Sequence, residues 1–350
     1  MNQSKTYIAI PPGETIREQL QDRGMPQKEF ALRMDISEKH ASKLINGEVR
    51  LTPEMARRLE MVLGVPASFW NNLEAIYREK LEKVREENEL EEDMEISRLF
   101  PYAEMAGFGW INGTRQAKER VVCLRQFFEV SRLALIEKPG IAPIAFRRQS
   151  VSEKAVYALQ AWAQQAKREA RKIETAKIDL AKLEMLLPEF RKMTLVQPDK
   201  FCPVLAEKLA SCGIAIVFLP HMKGSFLHGA TFYDAKKIVI GLTVRGKYAD
   251  KFWFSFFHEL AHIFHGDIGK PLGPSQEDEV AADEFARQTL IPDKDFLEFT
   301  GRKDFSIDAI LAFSKEQQIS PGVLIGRLQQ ENYIPFSLYN KKFRPMYTIK

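Results

Sequence analysis

The chain has 350 residues, of which 45% are hydrophobic and 28% charged, and its net charge is +4. This length allows two or three domains, the composition is that of an ordinary soluble protein, and the small charge permits nucleic-acid binding without arguing for it. The three cysteines form no CxxC pair, which argues against a disulfide framework and favours a reducing cytosol. No apolar run approaches the roughly 18 residues of a membrane span, and the first residues lack a signal-peptide pattern. We therefore expect a cytoplasmic protein without a membrane segment.

Short amphipathic segments fill residues 12–70 and are separated by glycine- and proline-containing joints. The predicted helices cover 15–24, 26–34, 38–46 and 53–63, and Pro12 and Gly13 lie just before the first. The starts of these helices are marked by proline in the first turn or by Ser37 and Thr52 as N-caps. Glycines follow the helix ends. Four short helices with such brief joints predict a compact all-α bundle.

The second and third predicted helices, 27–34 and 38–46, have helix-turn-helix spacing, in which the second helix of the pair enters the major groove of DNA. Lysine suits phosphate, glutamine and asparagine suit adenine edges, and serine suits phosphate oxygens. The side chains predicted to face DNA are Gln27, Ser37, Lys39, His40, Lys43 and Asn46. Nine basic and nine acidic side chains lie between residues 13 and 64, so a DNA footprint requires segregation of charge onto one face, and a plain bundle is the alternative.

The same segment resembles a known family. Its stretches PPGETIREQL, MPQKEFALRMDISEKHASKLINGEVRLTPEMARRLEMVLG and SFWNNLEAIY look like the Cro/repressor-type domain of the HigA antitoxins, from Pro11 to Tyr77. The resemblance implies a dimeric repressor that binds a palindromic operator. It also implies a toxin as a partner protein.

The middle of the chain is predicted to be helical. Residues 75–98 form a charged helical pattern with seven acids between 86 and 95, which is typical of a solvated helix or linker. Two further helices are predicted over 116–136 and 153–187. The second is rich in alanine and mixes both signs of charge, which favours a long exposed or paired helix.

Strands appear only after residue 200. The apolar run 213–220 predicts a buried strand, and ATFYD and KKIVIGL predict two more, joined at Asp234-Ala235. Two helices follow, one carrying HELAH and one reading EDEVAADEFARQTL. The predicted domains are a helix-turn-helix domain (1–74), a helical middle region (75–200), an α+β domain with a small sheet (201–335) and a tail (336–350).

The HELAH segment matches the H-E-x-x-H pattern of zinc peptidases. Positions four apart share one helix face, so His258 and His262 can both reach one Zn²⁺ ion. Glu259 is then the candidate general base, which takes a proton from an activated water and passes it to the leaving amine. The alternative is a buried helix that carries polar residues by chance. Its apolar flanks argue against this, because buried histidines and glutamate need partners.

A third ligand is predicted on the following helix. Glu279 and Asp283 lie four apart on a face that is otherwise apolar, where an unpaired carboxylate would be costly. We assign Glu279 as the third metal ligand and Asp283 as the acceptor that holds a ligand imidazole by its other nitrogen. His228, which precedes a predicted strand, is a further catalytic candidate that could steady an oxyanion.

HELAH, EVAADEFARQTLIP and ISPGVLIGRLQ together resemble the ImmA/IrrE family of metallopeptidase domains over residues 200–335. The resemblance implies a thermolysin-like, zincin-like fold with a zinc site and an endopeptidase that cuts a regulatory protein. The family usually has an asparagine after its last strand, where this chain has Gly241-Leu242-Thr243, which leaves open whether the domain cleaves or only senses.

The sequence as a whole predicts a mostly α, multidomain, cytoplasmic regulator. We expect a homodimer that binds operator DNA and carries a zinc-dependent endopeptidase acting on a regulatory protein. The alternative is an antitoxin whose C-terminal zinc fold binds a toxin or signal without catalysis.

Overall fold

The computed structural model describes residues 2–138, 141, 153–223, 229–243, 248–270 and 273–347. By its internal contacts the chain divides into two compact units, Met1–Glu95 and Ile96–Lys350. The four-part division predicted from composition stays a prediction. Among the described residues, none of the helices combines the length and apolar character needed to span a membrane.

The N-terminal unit consists mainly of helices, and the predicted four short ones are confirmed, although the first already begins at Pro12. The helices are α1 Pro12–Asp22, α2 Gln27–Arg33, α3 Glu38–Ile45, α4 Pro53–Leu63 and α5 Ala67–Ser97. Side-chain caps begin two of them, because Ser37 accepts from the His40 N–H and Thr52 from the Met55 N–H. Gly64, at a φ of 70°, ends α4 in the left-handed conformation that favours glycine.

The bundle closes around one apolar core formed by all five helices. Its fully buried members include Ile16, Phe30, Ala41, Leu59 and Trp70. Helix α1 passes very close to the end of α3 at Gly13, where an added Cβ would lie 1.8 Å from the carbonyl oxygen of residue 45. Only glycine lets α1 lie this near the end of α3.

The acidic segment of α5 has partners within the N-terminal unit and is not simply a solvated face. Glu87 accepts hydrogen bonds from the hydroxyls of Ser4 and Thr6, the latter at 2.6 Å. Lys5 forms an ion pair with Glu91 at 2.7 Å. The first residues of the chain therefore dock on the acidic helix through side chains of complementary chemistry.

The second unit contains eleven further α-helices among its described residues. They are α6 Tyr102–Gly107, α7 Ala117–Phe128, α8 Glu153–Arg171, α9 Leu180–Lys192, α10 Pro198–Ala210, α11 Ala249–His265, α12 Gln276–Leu290, α13 Asp293–Gly301, α14 Ile307–Glu316, α15 Pro321–Gln330 and α16 Asn340–Phe343. Short 3₁₀ helices cover Leu133–Glu137 and Met193–Leu195. The helix predicted over 116–136 is therefore too long, because α7 ends at Phe128.

The single helix predicted over 153–187 is also wrong. The chain leaves α8 at Arg171 and starts α9 at Leu180, where Asp179 accepts from the Lys182 N–H as an N-cap. Between them the backbone N–H groups of Ala176 and Asp179 donate to carbonyls at the end of α10. Tertiary hydrogen bonds of this kind override a helical composition.

Helix α8 is buried rather than exposed, contrary to the expectation from its charges. Its alanines and Trp162 are almost fully buried, and its charged residues are confined to the ends. The small alanine side chains let α8 lie directly on the sheet. The indole N–H of Trp162 donates to the carbonyl of Pro220 at 3.2 Å, just beyond the first strand.

The three predicted strands are confirmed as β1 Ile214–Leu219, β2 Gly229–Asp234 and β3 Lys237–Thr243. The sheet order is β1-β3-β2, with β1 parallel and β2 antiparallel to the central β3. A two-residue turn joins β2 and β3, with Ala235 at a φ of 54°. Strand β2 therefore forms one edge of the described sheet.

Helices α8 and α11 contact the sheet and bury different strand residues. Ile238, Ile240 and Leu242 share a core with the aromatic residues of α11, and a Cβ at Gly241 would lie 2.5 Å from Trp162 of α8. Alternation along β3 thus sends even positions to α11 and Gly241 to α8. The helix that carries HELAH is held firmly in the core of the unit.

Candidate functional site

The helix-turn-helix pair lies where the sequence predicted it. The turn between α2 and α3 is held by Arg58, whose guanidinium donates to the carbonyls of Met34 and Asp35 at 2.9 and 3.0 Å. Asp35 lies in the left-handed region at a φ of 54°. The inner side of α3 is apolar and buried, and it consists of Ala41, Leu44 and Ile45.

The residues predicted to contact DNA lie on α3 and at the start of α2. Five are exposed and one, His40, is half-buried; the exposed ones are Gln27, Ser37, Lys39, Lys43 and Asn46. Two of them also have local partners. The Ser37 hydroxyl caps α3, and the Asn46 amide oxygen accepts from Arg17 at 3.3 Å. The contacts with DNA themselves stay predictions.

The second candidate site is formed by α11 and α12. The structure brings together His258, His262 and Glu279, whose ligand atoms all lie within 4.8 Å of one another. The two Nε2 atoms are 3.1 Å apart, and the carboxylate oxygens of Glu279 lie 3.2 Å from Nε2 of His258 and 3.8 Å from Nε2 of His262. Three potential ligand atoms therefore point at one position. We call this group the histidine–glutamate cluster.

The outer nitrogens of both imidazoles face carboxylates. Nδ1 of His258 lies 2.8 Å from Asp283, and Nδ1 of His262 lies 3.2 Å from Asp267. Because a carboxylate only accepts, each Nδ1 carries a proton and donates it. Each Nε2 then faces the shared position, in the arrangement seen for metal-ligating histidines. Asp283 therefore has the partner that the sequence predicted for it.

Asp267 was missed by the sequence reasoning. Gly266, at a φ of 74°, ends α11 in the left-handed conformation and turns the chain back, so that the Asp267 N–H donates to the His262 carbonyl at 3.0 Å. This reversal places the buried Asp267 carboxylate against the ring of His262. A helix-ending glycine followed directly by aspartate was the available signal.

Lys270 and Asp278 brace the loop between α11 and α12. The Lys270 ammonium pairs with both Asp267 and Asp278 at 2.6 Å. Asp278 also forms a capping box with Ser275 at the start of α12. The hydrogen bonds from Lys270 and Ser275 hold the pKa of Asp278 well below its usual range. The loop thereby fixes the helix that carries Glu279.

Glu259 lies beside the cluster in a fully enclosed position. Its Oε2 accepts from the Thr231 hydroxyl at 2.6 Å, from the edge strand β2. Burial raises the pKa of Glu259 above its ordinary value, although the Thr231 hydrogen bond acts in the opposite sense. Burial lowers the pKa of His258, but hydrogen bonds to Asp283 and Glu279 outweigh it and raise that pKa to about 10.

The reason given for Glu279 and Asp283 needs correction. The sequence placed both on an inward, apolar face, yet their side chains are 48% and 54% exposed. They face the histidines from the rim of the site, so the cost of burying an unpaired acid does not explain their presence. The second catalytic candidate, His228, lies outside the described residues.

Comparison with known proteins assigns the helix-turn-helix segment to a known family. A family described as helix-turn-helix matches residues 16–70. The chain is also 41% identical over 63 residues to the uncharacterized HTH-type transcriptional regulator YddM of Escherichia coli strain K12, a match that spans 18% of this chain and 67% of that protein. The chain belongs to the helix-turn-helix family of transcriptional regulators, a class of DNA-binding proteins. The matched segment contains α2 and α3.

Proposed function

We propose that this regulator binds operator DNA as a homodimer and that its second unit is a zinc-dependent endopeptidase acting on a regulatory protein. One observation supports the enzymatic part above all others. Two imidazoles, each oriented by its own carboxylate, direct their Nε2 atoms at one position that a third carboxylate also reaches. This arrangement matches the outer hydrogen bonds and the ligand types of a protein zinc site.

The spacing of the cluster fits zinc. Zinc–nitrogen bonds of about 2.0–2.1 Å in a tetrahedron place neighbouring ligand atoms about 3.3 Å apart. The two Nε2 atoms are 3.1 Å apart, and their shortest distances to Glu279 are 3.2 Å to one carboxylate oxygen and 3.8 Å to the other. Two histidines and one carboxylate also form the ligand set of catalytic zinc, which leaves a fourth position for water.

The residues around the cluster have complementary chemical roles in peptide hydrolysis. Zinc held by His258, His262 and Glu279 would polarise the peptide carbonyl and acidify a water. Glu259 would take the proton from that water and deliver it to the leaving amine, and its raised pKa suits both transfers. Thr231 holds the Glu259 carboxylate in place, while Asp283 and Asp267 keep both rings in the ligating tautomer.

Metal analysis of the purified full chain tests the ligand assignment. We expect one zinc per chain in the wild type, loss of that zinc in His258→Ala, and retention in His265→Ala. His265 is the matched control because it lies on the same helix but is exposed and outside the cluster. Full zinc occupancy in His258→Ala would refute the assignment.

Catalysis is tested separately with Glu259→Gln, which keeps the three ligands. Candidate substrates are regulatory proteins encoded beside this chain's gene. We expect the variant to bind zinc normally and to lose cleavage. If wild type and variant both bind zinc and neither cleaves any candidate, the non-catalytic antitoxin alternative is favoured; equal cleavage by both removes Glu259 as the base.

The DNA-binding part rests on the family membership and on the exposed polar face of α3. The HigA resemblance extends it to a palindromic operator and to a toxin partner. We expect a shifted complex on the DNA upstream of the chain's own gene, with half-sites about one helical turn apart. A complex containing one chain per operator would contradict the dimer.

A further inference from the structure

A large cavity lies beside the histidine–glutamate cluster and has no role in the function proposed above. It measures about 710 Å³ and is lined by residues of α11, α12 and α15 together with the chain near α16. This volume lies within the range of pockets that hold small organic ligands. Asp283, which orients His258, is part of its wall.

Most of the cavity wall is apolar. Its apolar side chains are Phe254, Val280, Leu290, Ile291, Val323 and Phe336. A wall of this kind takes up a hydrocarbon or aromatic body by removing it from water. The polar groups then decide which head group the ligand carries.

Two of the arginines in the wall are already satisfied. Arg344 forms a bidentate pair with Asp250 at 2.6 and 3.1 Å, and Arg327 donates to the Ile291 carbonyl at 2.6 Å and to Glu331 at 2.8 Å. Their charges are compensated within the protein. Both arginines line the cavity, but neither needs a ligand to satisfy its hydrogen-bond donors.

Two other cations in the wall have hydrogen-bond donors that no acceptor among the described residues fills. Nε of Arg287 is buried and has no hydrogen-bond acceptor among the described residues, although another nitrogen of the same guanidinium pairs with Glu284. Lys251 has no ion-pair partner within the described part of the chain, and it also lines the cavity. A buried donor without an acceptor is costly, and a ligand oxygen would remove that cost.

We propose that this cavity binds a small amphipathic anion, a carboxylate with an apolar body, with its head group on Arg287 and Lys251. The apolar wall holds the hydrocarbon part of the ligand, and the unfilled donors of Arg287 and Lys251 bind its anionic head group. This binding goes beyond the peptidase proposal and does not depend on it.

Octanoate is the probe, titrated into the full-length protein by calorimetry. We expect one saturable site in the wild type and at least roughly tenfold weaker binding in Arg287→Gln, the factor expected when a charge-assisted hydrogen bond is lost. Arg302→Gln is the matched control, because Arg302 also pairs with a glutamate of its own helix but lies outside the cavity. Neutral octanamide should bind the wild type more weakly than octanoate.

Further variants separate the cavity from the cluster. Val280→Trp fills the cavity from an exposed wall position and should block octanoate, while His258→Ala should retain binding because His258 itself does not line the cavity. Binding that survives in Arg287→Gln but disappears in His258→Ala places the carboxylate on a bound metal and overturns the cavity proposal. Absence of saturable binding, or equal affinity for octanamide, overturns it as well. Circular dichroism of each variant identifies any loss of folding.

Discussion

Replacing Asp267 by alanine tests how the protein orients its candidate zinc ligands. Asp267 is 4% exposed, and its carboxylate is the described acceptor for Nδ1 of His262. Removal leaves that Nδ1 buried beside a cavity, so the ring loses both its tautomer and its orientation. Loss of such an outer partner typically lowers metal affinity roughly 10–100-fold, which corresponds to about 1.4–2.7 kcal/mol.

Asp283→Ala shows whether the burial of the carboxylate or its distance from the imidazole determines the loss of zinc affinity. Its contact with His258 is shorter, at 2.8 Å against 3.2 Å, so distance alone predicts a larger loss for Asp283. However, Asp283 is 54% exposed, and water can replace its carboxylate. Because a buried donor cannot be rehydrated, we expect burial to dominate, with a loss of less than about tenfold for Asp283→Ala.

Zinc affinity is measured at fixed pH by competition with a chromophoric chelator. Lys270→Met is the matched control, since it removes the ion pair to Asp267 but keeps the contact of Asp267 with His262. Asp267→Asn should be intermediate, because its amide oxygen still accepts from Nδ1. A larger loss for Asp283→Ala than for Asp267→Ala would refute the burial argument, and unchanged affinity in both would show that neither acid orients a ligand.

Three further outcomes are expected. Gly241→Ala should lower the free energy of unfolding by about 1–3 kcal/mol, because its Cβ would lie 2.5 Å from Trp162. Thermal melting should show a lower Tm for this variant. Gly301→Ala is the control and should show no such loss, because there is free space around Gly301. Asp278→Asn should lower Tm at neutral pH. Because the folded pKa of Asp278 is depressed, the wild type should lose this advantage as the pH falls below about 4, and parallel melts across pH should converge. Lys43→Ala should weaken operator binding and flatten its salt dependence by about one unit in a log–log titration, while alanine at a lysine outside residues 16–70 should leave the slope unchanged.

The sequence predicted the features that depend on local order. Ser37 and Thr52 mark helix starts through short side chains that reach backbone N–H groups three residues away, and the structure contains both caps. The spacing of His258 and His262 on one helix face is likewise local. The strands followed from short apolar runs, and their hairpin from the turn at Asp234-Ala235.

Features that depend on distant segments were harder to predict. The break between α8 and α9 is stabilised by hydrogen bonds to the end of α10, about 30 residues away in sequence. Thr231 lies on a strand far from Glu259 along the chain, so no local pattern joined them. Glu279 was the right neighbour for the histidines, but for a reason that its exposure contradicts.

The position of the candidate base is set by the edge strand as much as by the HELAH helix. A Cβ at Gly229 would lie 2.7 Å from Oε1 of Glu259 and 2.8 Å from Leu242, so only glycine lets β2 pass this close to α11. Two residues further along β2, the side chain returns to the same face, and there Thr231 donates to Glu259. Gly229 therefore allows β2 to approach the Glu259 carboxylate. Thr231, at the next position on the same face, then holds that carboxylate with a hydrogen bond. A larger residue at position 229 would move the Thr231 hydroxyl away from Glu259 even though HELAH itself was unchanged.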